Sequence, residues 1–357
     1  MIVCKHVTPL IVILLLTVLF VGVVTTHPTI HTASATVGGT GLQYKGISYT
    51  SFSPNEYASA ASETSLDALK GTGANYVSVL VTQFVTSETS NSIFLDPQQT
   101  PSDAAVTRAI KDAHALGMGV LLKPQIVCND GSCGQASLNP TDKTAWFASY
   151  AKFINHYARI AQANNVEMLC IGCELDKLDT GNYANWAAVI SGVRAIYSGP
   201  LIYASQWFSY MKIPFWGLLD YVGIDAYYPL SASKTPAVAE IVSAWTAYTY
   251  FGVVRNWAQE LETWHATVNK PIIFTEIGYR SIDYTAKNPA DFGSVSAYNG
   301  NGQANCYKAA LLVFSNKPWF AGLFWWDWHP DPTDGGAGDT DFTPHDKPAQ
   351  SVLAAYW

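Results

Sequence analysis

The chain has 357 residues, enough for one large α/β domain or two small ones. Hydrophobic residues make up 49% and charged residues only 13%, about half the usual share, so a large core can form while the surface draws its polarity from uncharged side chains. A net charge of −7, with no run of Lys or Arg beyond residue 10, excludes the basic footprint that a nucleic-acid partner requires.

The first 35 residues read as an export signal. Lys5 and His6 supply a weakly basic start, "LIVILLLTVLFVGVV" (10–24) an apolar stretch, and "ASA" (33–35) a small-residue cleavage site. The apolar stretch is short of the ~20 residues that span a bilayer, so the segment predicts a secreted, extracellular protein that meets the membrane only through its signal. Cys4 lies too early for lipid attachment. Export permits disulfides, and Cys128 and Cys133 bracket the turn-forming "NDGS", which predicts a local bridge. Cys170, Cys173 and Cys306 remain; the first two sit in an apolar strand pattern rather than at a helix start, which reads as buried packing rather than redox chemistry.

From residue 43 onward, strand and helix patterns alternate. The strands are 43–49, 76–84, 119–126, 166–174, 200–207, 221–228, 271–278 and 322–328, mostly continuous apolar runs that suit a parallel sheet covered on both faces. Helices are predicted at 102–117, 141–165 and 182–199, in long stretches before the seventh and eighth strands, and in a closing segment, "KPAQSVLAAYW". Eight strand–helix units over 36–357 predict a single-domain α/β fold, the (β/α)8 TIM barrel. An open doubly wound sheet would want a glycine-rich loop after the first strand, and "GISYTSFSPNE" offers none.

In such a barrel the chemistry sits at the C-terminal ends of the strands. Those ends carry Tyr49, Gln83, Lys123, Gln125, Glu174, Gln206, Trp207, Asp225, Tyr227, Glu276, Trp326, Asp327 and Trp328. Of only nine glutamates, two close strands four and seven. Strand alternation groups Glu174 with Gly172 and Cys170, and Glu276 with Phe274, as the inward set. A buried carboxylate must be paired; Lys123 and Arg280 could make both acids structural ion-pair partners, whereas two acids facing one barrel mouth match the needs of glycosidic cleavage. Lys123, Gln125, Gln206, Asp225 and Tyr227 are candidate substrate contacts, and Trp207, Trp326 and Trp328 candidate sugar platforms. His329 is a further candidate contact. Trp146, Trp186, Trp245, Trp257 and Trp264 lie on helical patterns and read as packing residues.

No His, Asp or Glu grouping has metal-ligand spacing. The acid-rich "DPTDGGAGDTD" (331–341) lacks the order of a calcium loop and reads as a solvated loop near the site. No nucleotide or acyl-transfer motif occurs, so no cofactor is expected, and the chain is expected to act as a monomer.

"IGCEL" (171–175), "GIDAYYPL" (223–230), "FTEIGYRS" (274–281) and "FTPHDKPA" (342–349) resemble glycoside hydrolase family 113, a clan A family of mainly β-1,4-mannanases. The resemblance implies a retaining enzyme with Glu174 as acid/base, Glu276 as nucleophile, Tyr227 hydrogen-bonded to the nucleophile, and Trp326 or Trp328 under the cleaved sugar. It departs from many clan A families at Cys173, where an Asn commonly holds the sugar 2-hydroxyl, and downstream of "GYRS"; both departures bear on the substrate. The expectation is a secreted endo-β-1,4-mannanase, with a glucan or chitosan hydrolase, or a catalytically inactive carbohydrate-binding barrel, as alternatives.

Overall fold

The computed structural model describes residues 41–357; the expected export signal lies outside the described residues. Among the described residues there are ten strands: β1 (Tyr44–Tyr49), β2 (Tyr76–Val85), β3 (Gly119–Cys128), β4 (Met168–Cys173), β5 (Leu201–Gln206), β6 (Val222–Asp225), β7 (Tyr248–Tyr250), β8 (Val253–Arg255), β9 (Ile272–Ile277) and β10 (Phe320–Trp328). Eight of them close into a parallel barrel in the order β1–β2–β3–β4–β5–β6–β9–β10. The helices are α1 (Ala60–Lys70), α2 (Asp103–Ala115), α3 (Lys143–Ala163), α4 (Asp176–Asp179), α5 (Tyr183–Arg194), α6 (Val238–Ala244), α7 (Trp257–Val268), α8 (Gly300–Phe314) and α9 (Pro348–Tyr356). The fold is the (β/α)8 barrel that the alternation predicts.

Helix starts follow capping chemistry. Ser102, Asp142, Asn256 and Asn299 each accept a hydrogen bond from a backbone N–H in the first turn of α2, α3, α7 and α8, satisfying donors that have no partner within the helix. The stretch before the seventh barrel strand is not one helix. "YTYFGVVR" forms the antiparallel hairpin β7–β8 between α6 and α7. Its β-branched and aromatic residues favour extended backbone, and Gly252 takes a φ of +76° at its turn.

Two apolar layers hold the barrel. Leu121, Met168, Cys170, Ile202, Ile273 and Phe324 fill its interior. Alternate strand residues such as Val79, Leu122, Leu169, Ile171, Ile224 and Trp325 pack outward beneath the helices, where the tryptophans on helical patterns contribute. The interior is tight enough to dictate glycine at Gly322, where a Cβ would stand 2.1 Å from the Tyr44 carbonyl oxygen. Because that obstacle is backbone of the neighbouring strand, it cannot swing aside. Cys128 and Cys133 are disulfide-bonded, with Cα atoms 5.0 Å apart.

Replacing Gly322 by Ala is expected to cost about 3 kcal/mol, the upper end of ordinary overpacking, or to prevent folding. Urea denaturation checks this, and a loss below about 1 kcal/mol would contradict the close approach of β1 and β10.

Candidate active site

At the C-terminal rim three strands lose their alternation, each by inserting one residue, and these insertions aim the side chains of the site. On β4, Cys170 pairs with Ile202 but Cys173 pairs with Ala204, so three residues of β4 advance over two of β5. Cys170 and Cys173 both belong to the barrel interior, whereas a Cβ on Gly172 would meet the outward Tyr203 ring and Tyr150 hydroxyl. Glu174 follows with a φ of +49°. On β9, Ile224 and Asp225 of β6 pair with Phe274 and Glu276, skipping Thr275. Phe274 and Ile277 lie in the outward layer, yet Glu276 reaches Lys123 and Tyr227 at the mouth. Simple alternation therefore misassigns the strand neighbours of both acids: Gly172 and Phe274 are not on the inward face. A one-residue bulge in each strand re-aims the chain at the rim, as bulges beside barrel sites commonly do.

A third shift, between Ile47–Trp325 and Tyr49–Trp328, separates the two candidate tryptophans of β10. Trp326 joins Leu80, Tyr227 and Phe342 in a small apolar cluster against which Trp207 packs. Trp328 turns outward, fully buried, with its indole N–H donated to Ser65 Oγ of α1 (2.8 Å) and its ring against His345. The expectation that Trp328 could carry a sugar is overturned; it anchors α1 to the barrel. Tyr49 and Gln83 likewise point outward, bonded to Ser62 and Tyr157.

The polar centre is built on Glu276. Lys123 donates to Glu276 Oε1, and the Tyr227 hydroxyl donates to Oε2 at 2.7 Å. Lys123 also lies 3.4 Å from Asp225 Oδ1, which accepts from Thr275 Oγ1 at 2.7 Å; Asp225 Oδ2 accepts from the Cys173 thiol at 3.5 Å. Lys123 and Asp225 have no exposed surface, so the expectation that they touch substrate is corrected: they lie beneath the site and support it. Gln125 is held by Thr82 and by Gln135, and Gln135 Nε2 also lies 3.7 Å from Cys173 Sγ. Gln206 and Trp207, at the end of β5, are half-buried, and the Trp207 ring contacts Tyr228, Tyr250 and Trp257. Among the described residues, Cys173, Asp225 and Glu276 form the one group of potential metal ligands, their donor atoms within 4.8 Å of one another. The Lys123 ammonium already supplies a cation to two of these three residues.

Burial pushes the Glu174 carboxyl well above the usual range, and the negative charges of Asp225 and Glu276 push it further. Glu276 is raised to about 7 by burial and by Asp225, against the opposing pull of Lys123 and of its hydrogen bonds. Burial alone would lower the pKa of Lys123, but Asp225, Cys173 and Glu276 reverse this and hold it well above its ordinary value. The site thus contains a carboxyl that readily keeps its proton beside one held by a cation and a hydroxyl. Such a pair can supply a general acid and a nucleophile.

Sequence reading missed Thr275, Gln135 and Phe342. Thr275 occupies a bulge, Gln135 opens a single 3-10 turn too short to show periodicity, and Phe342 lies in an irregular segment. Asp327 and His329 meet at 2.9 Å, with Thr50 on the same Asp327 oxygen and Asp334 3.2 Å from the other His329 nitrogen. The acid-rich loop 331–341 is tied down through such contacts: Asp339 and the Asp341 carbonyl reach the ammonium of Lys347.

The sequence profile of Glycoside Hydrolase Family 113 matches residues 47–347. A family 113 β-1,4-mannanase solved as a complex is similar at 25% identity, with a TM-score of 0.76 over 88% of this chain and 98% of its own. The family 113 β-mannanase AaManA from Alicyclobacillus acidocaldarius, in complex with ManMIm, is also 25% identical, with a TM-score of 0.78 over 88% of this chain and 96% of its own. A β-glucuronidase from Ruminococcus gnavus, at 15% identity and a TM-score of 0.58 over 88% of this chain and 49% of its own, shares the fold alone. No curated protein sequence matches the chain.

His329 gives a stability prediction. Burial lowers its pKa, but Asp327, Asp334 and Asp341 overcome this and raise it to about 9. A raised folded-state value stabilises fully below the unfolded value of ~6.5 and is lost as pH rises through the folded one. His329→Gln is therefore expected to cost about 1–2 kcal/mol at pH 6, less than the full shift implies because the ring is partly exposed. That difference should close above pH ~9. Chemical denaturation across this range reads it; a pH-independent difference would contradict the pairing.

Proposed function

The chain belongs to glycoside hydrolase family 113, and from that premise we propose that this glycosidase is a secreted, retaining endo-β-1,4-mannanase that works by double displacement. The observation carrying this reading is that Glu174 directly follows Cys173, whose thiol lies within 4.8 Å of a Glu276 carboxylate oxygen at the barrel mouth, so that the negative charge of Glu276 helps push the Glu174 carboxyl up. Retaining cleavage needs such a pair on opposite sides of the scissile bond.

In the first step Glu276 attacks the anomeric carbon while Glu174 passes its proton to the departing oxygen. The bond from carbon to that oxygen breaks, and a glycosyl ester on Glu276 forms. In the second step Glu174, now a carboxylate, takes a proton from water, which displaces Glu276 and restores both acids. Tyr227 fixes the attacking carboxylate. Trp326, clustered with Tyr227, and Trp207, packed against that cluster, would offer apolar faces to sugar rings, with Gln125 and Gln206 as hydroxyl readers. A mannan is favoured over other β-glycans by the likeness to two solved β-mannanases. Cys173 at the position before the acid is consistent with a sugar whose 2-hydroxyl is axial.

Incubation with β-1,4-mannan should release reducing ends, with the β-anomer formed first by proton NMR. Glu276→Gln should lose at least about 10³-fold in kcat/KM, and Glu174→Gln about 10²–10⁴-fold on substrates with poor leaving groups. Release from glucan or chitosan but not from mannan would keep the glycosidase and overturn the substrate. First formation of the α-anomer would overturn retention. Secretion is read by N-terminal sequencing of the culture-medium protein, expected to begin near residue 36.

A further inference from the structure

The buried cation beneath Glu276 has work to do at both stages of the proposed reaction. Cys173, Asp225 and Glu276 crowd their donor atoms within 4.8 Å of one another, all buried. Two carboxylates this close cannot both stay charged in a site closed to water unless a cation lies between them. Lys123 Nζ contacts both, and its whole side chain is inaccessible to solvent. The titratable groups around this centre are Cys170, Cys173 and Glu174 from the β4 segment, Asp225 and Tyr227 from the β6 segment, and Glu276 from β9.

We infer that Lys123 is a positioning residue: a built-in counter-ion that holds Glu276 charged and aimed for attack, and that Asp225 takes over as its partner when the glycosyl ester forms. The chemistry requires the second half of this arrangement. Before attack, the ammonium faces two carboxylates. Once Glu276 shares an electron pair with the anomeric carbon, its negative charge is gone, and a lone ammonium would be left in an apolar barrel. Asp225, fixed by Thr275 and the Cys173 thiol, keeps that ammonium neutralised through the life of the ester. The buried triad thus carries one excess negative charge before attack and none after it, so it never has to bury an unpaired cation. Cysteine at position 173 serves this arrangement by donating a thiol hydrogen to Asp225 where a larger polar side chain would need space at the mouth.

This inference rests on Glu276 as nucleophile, and the test separates the two. Glutamate δ-¹³C labelling gives nine carboxyl resonances in the full chain, and Glu276→Gln identifies the relevant one without any substrate. Lys123→Met, close in shape but uncharged, should move the Glu276 titration up by about one pH unit or more. Asp225→Asn, nearly isosteric, should move it down. The acid limb of kcat/KM on mannan should follow in both directions, and Lys123→Arg should return it part of the way. Should Lys123→Met fail to fold, Lys123→Gln takes its place, and an unmoved Glu276 titration in it would overturn the counter-ion role. An unmoved Glu276 titration, or shifts of the same sign in both variants, would overturn the counter-ion role even if activity fell. Inactivity of the wild type with opposite shifts intact would instead sink the functional reading and leave the counter-ion standing.

Discussion

A charge can be buried in a protein interior only beside its opposite, and the upper end of this barrel is arranged around that requirement. Below the rim the interior is filled by apolar side chains such as Leu121, Cys170, Ile202 and Phe324. At the level of Lys123 it changes character over a single layer, and each buried polar atom there needs a neighbour because burial withdraws it from bulk water. Lys123 draws in Asp225 and Glu276, Asp225 draws in Thr275 and Cys173, and Glu276 draws in Tyr227. These six side chains are therefore one connected network centred on Lys123, Asp225 and Glu276.

The network is reached by breaking a rule that the rest of the barrel obeys. Alternation places one residue in two on the inner face, so adjacent residues of a regular strand cannot both serve the site. Inserted residues in β4, β9 and β10 relax that limit. In β9 the result is that Thr275 bonds Asp225 while the very next residue bonds Lys123 and Tyr227. The same device in β10 sends Trp326 to the cluster with Tyr227 and Phe342, and Trp328 beneath α1. Two like residues, two positions apart, thus have unrelated duties.

The sequence revealed much of this and concealed a definable part. Strand–helix alternation was readable because parallel strands covered on both faces leave long apolar runs, and the barrel follows from counting them. The acids stood out because a Glu closing such a run is costly. Tyr227 was placed on the inner face because β6 keeps its alternation with Gly223 and Asp225. Trp328 was misread because a register shift depends on hydrogen bonds with the next strand, which no pattern within one strand reports. The burial of Lys123 and Asp225 was hidden for a related reason: the depth of a strand end below the rim depends on the neighbouring loops. The β7–β8 hairpin was lost in a stretch whose apolar spacing suits either structure.

The bridge between Cys128 and Cys133 lies at the end of β3, and the chain continues straight from it to Gln135, which clasps Gln125 and approaches Cys173. This side of the barrel mouth is therefore pinned by a covalent bond that exists only under oxidising conditions. Chemical reduction would free the loop that leads to Gln135 while leaving the barrel's apolar layers untouched. The barrel and the geometry of this side of its mouth consequently answer to different chemical conditions: the first to water, the second also to the thiol balance of the surroundings.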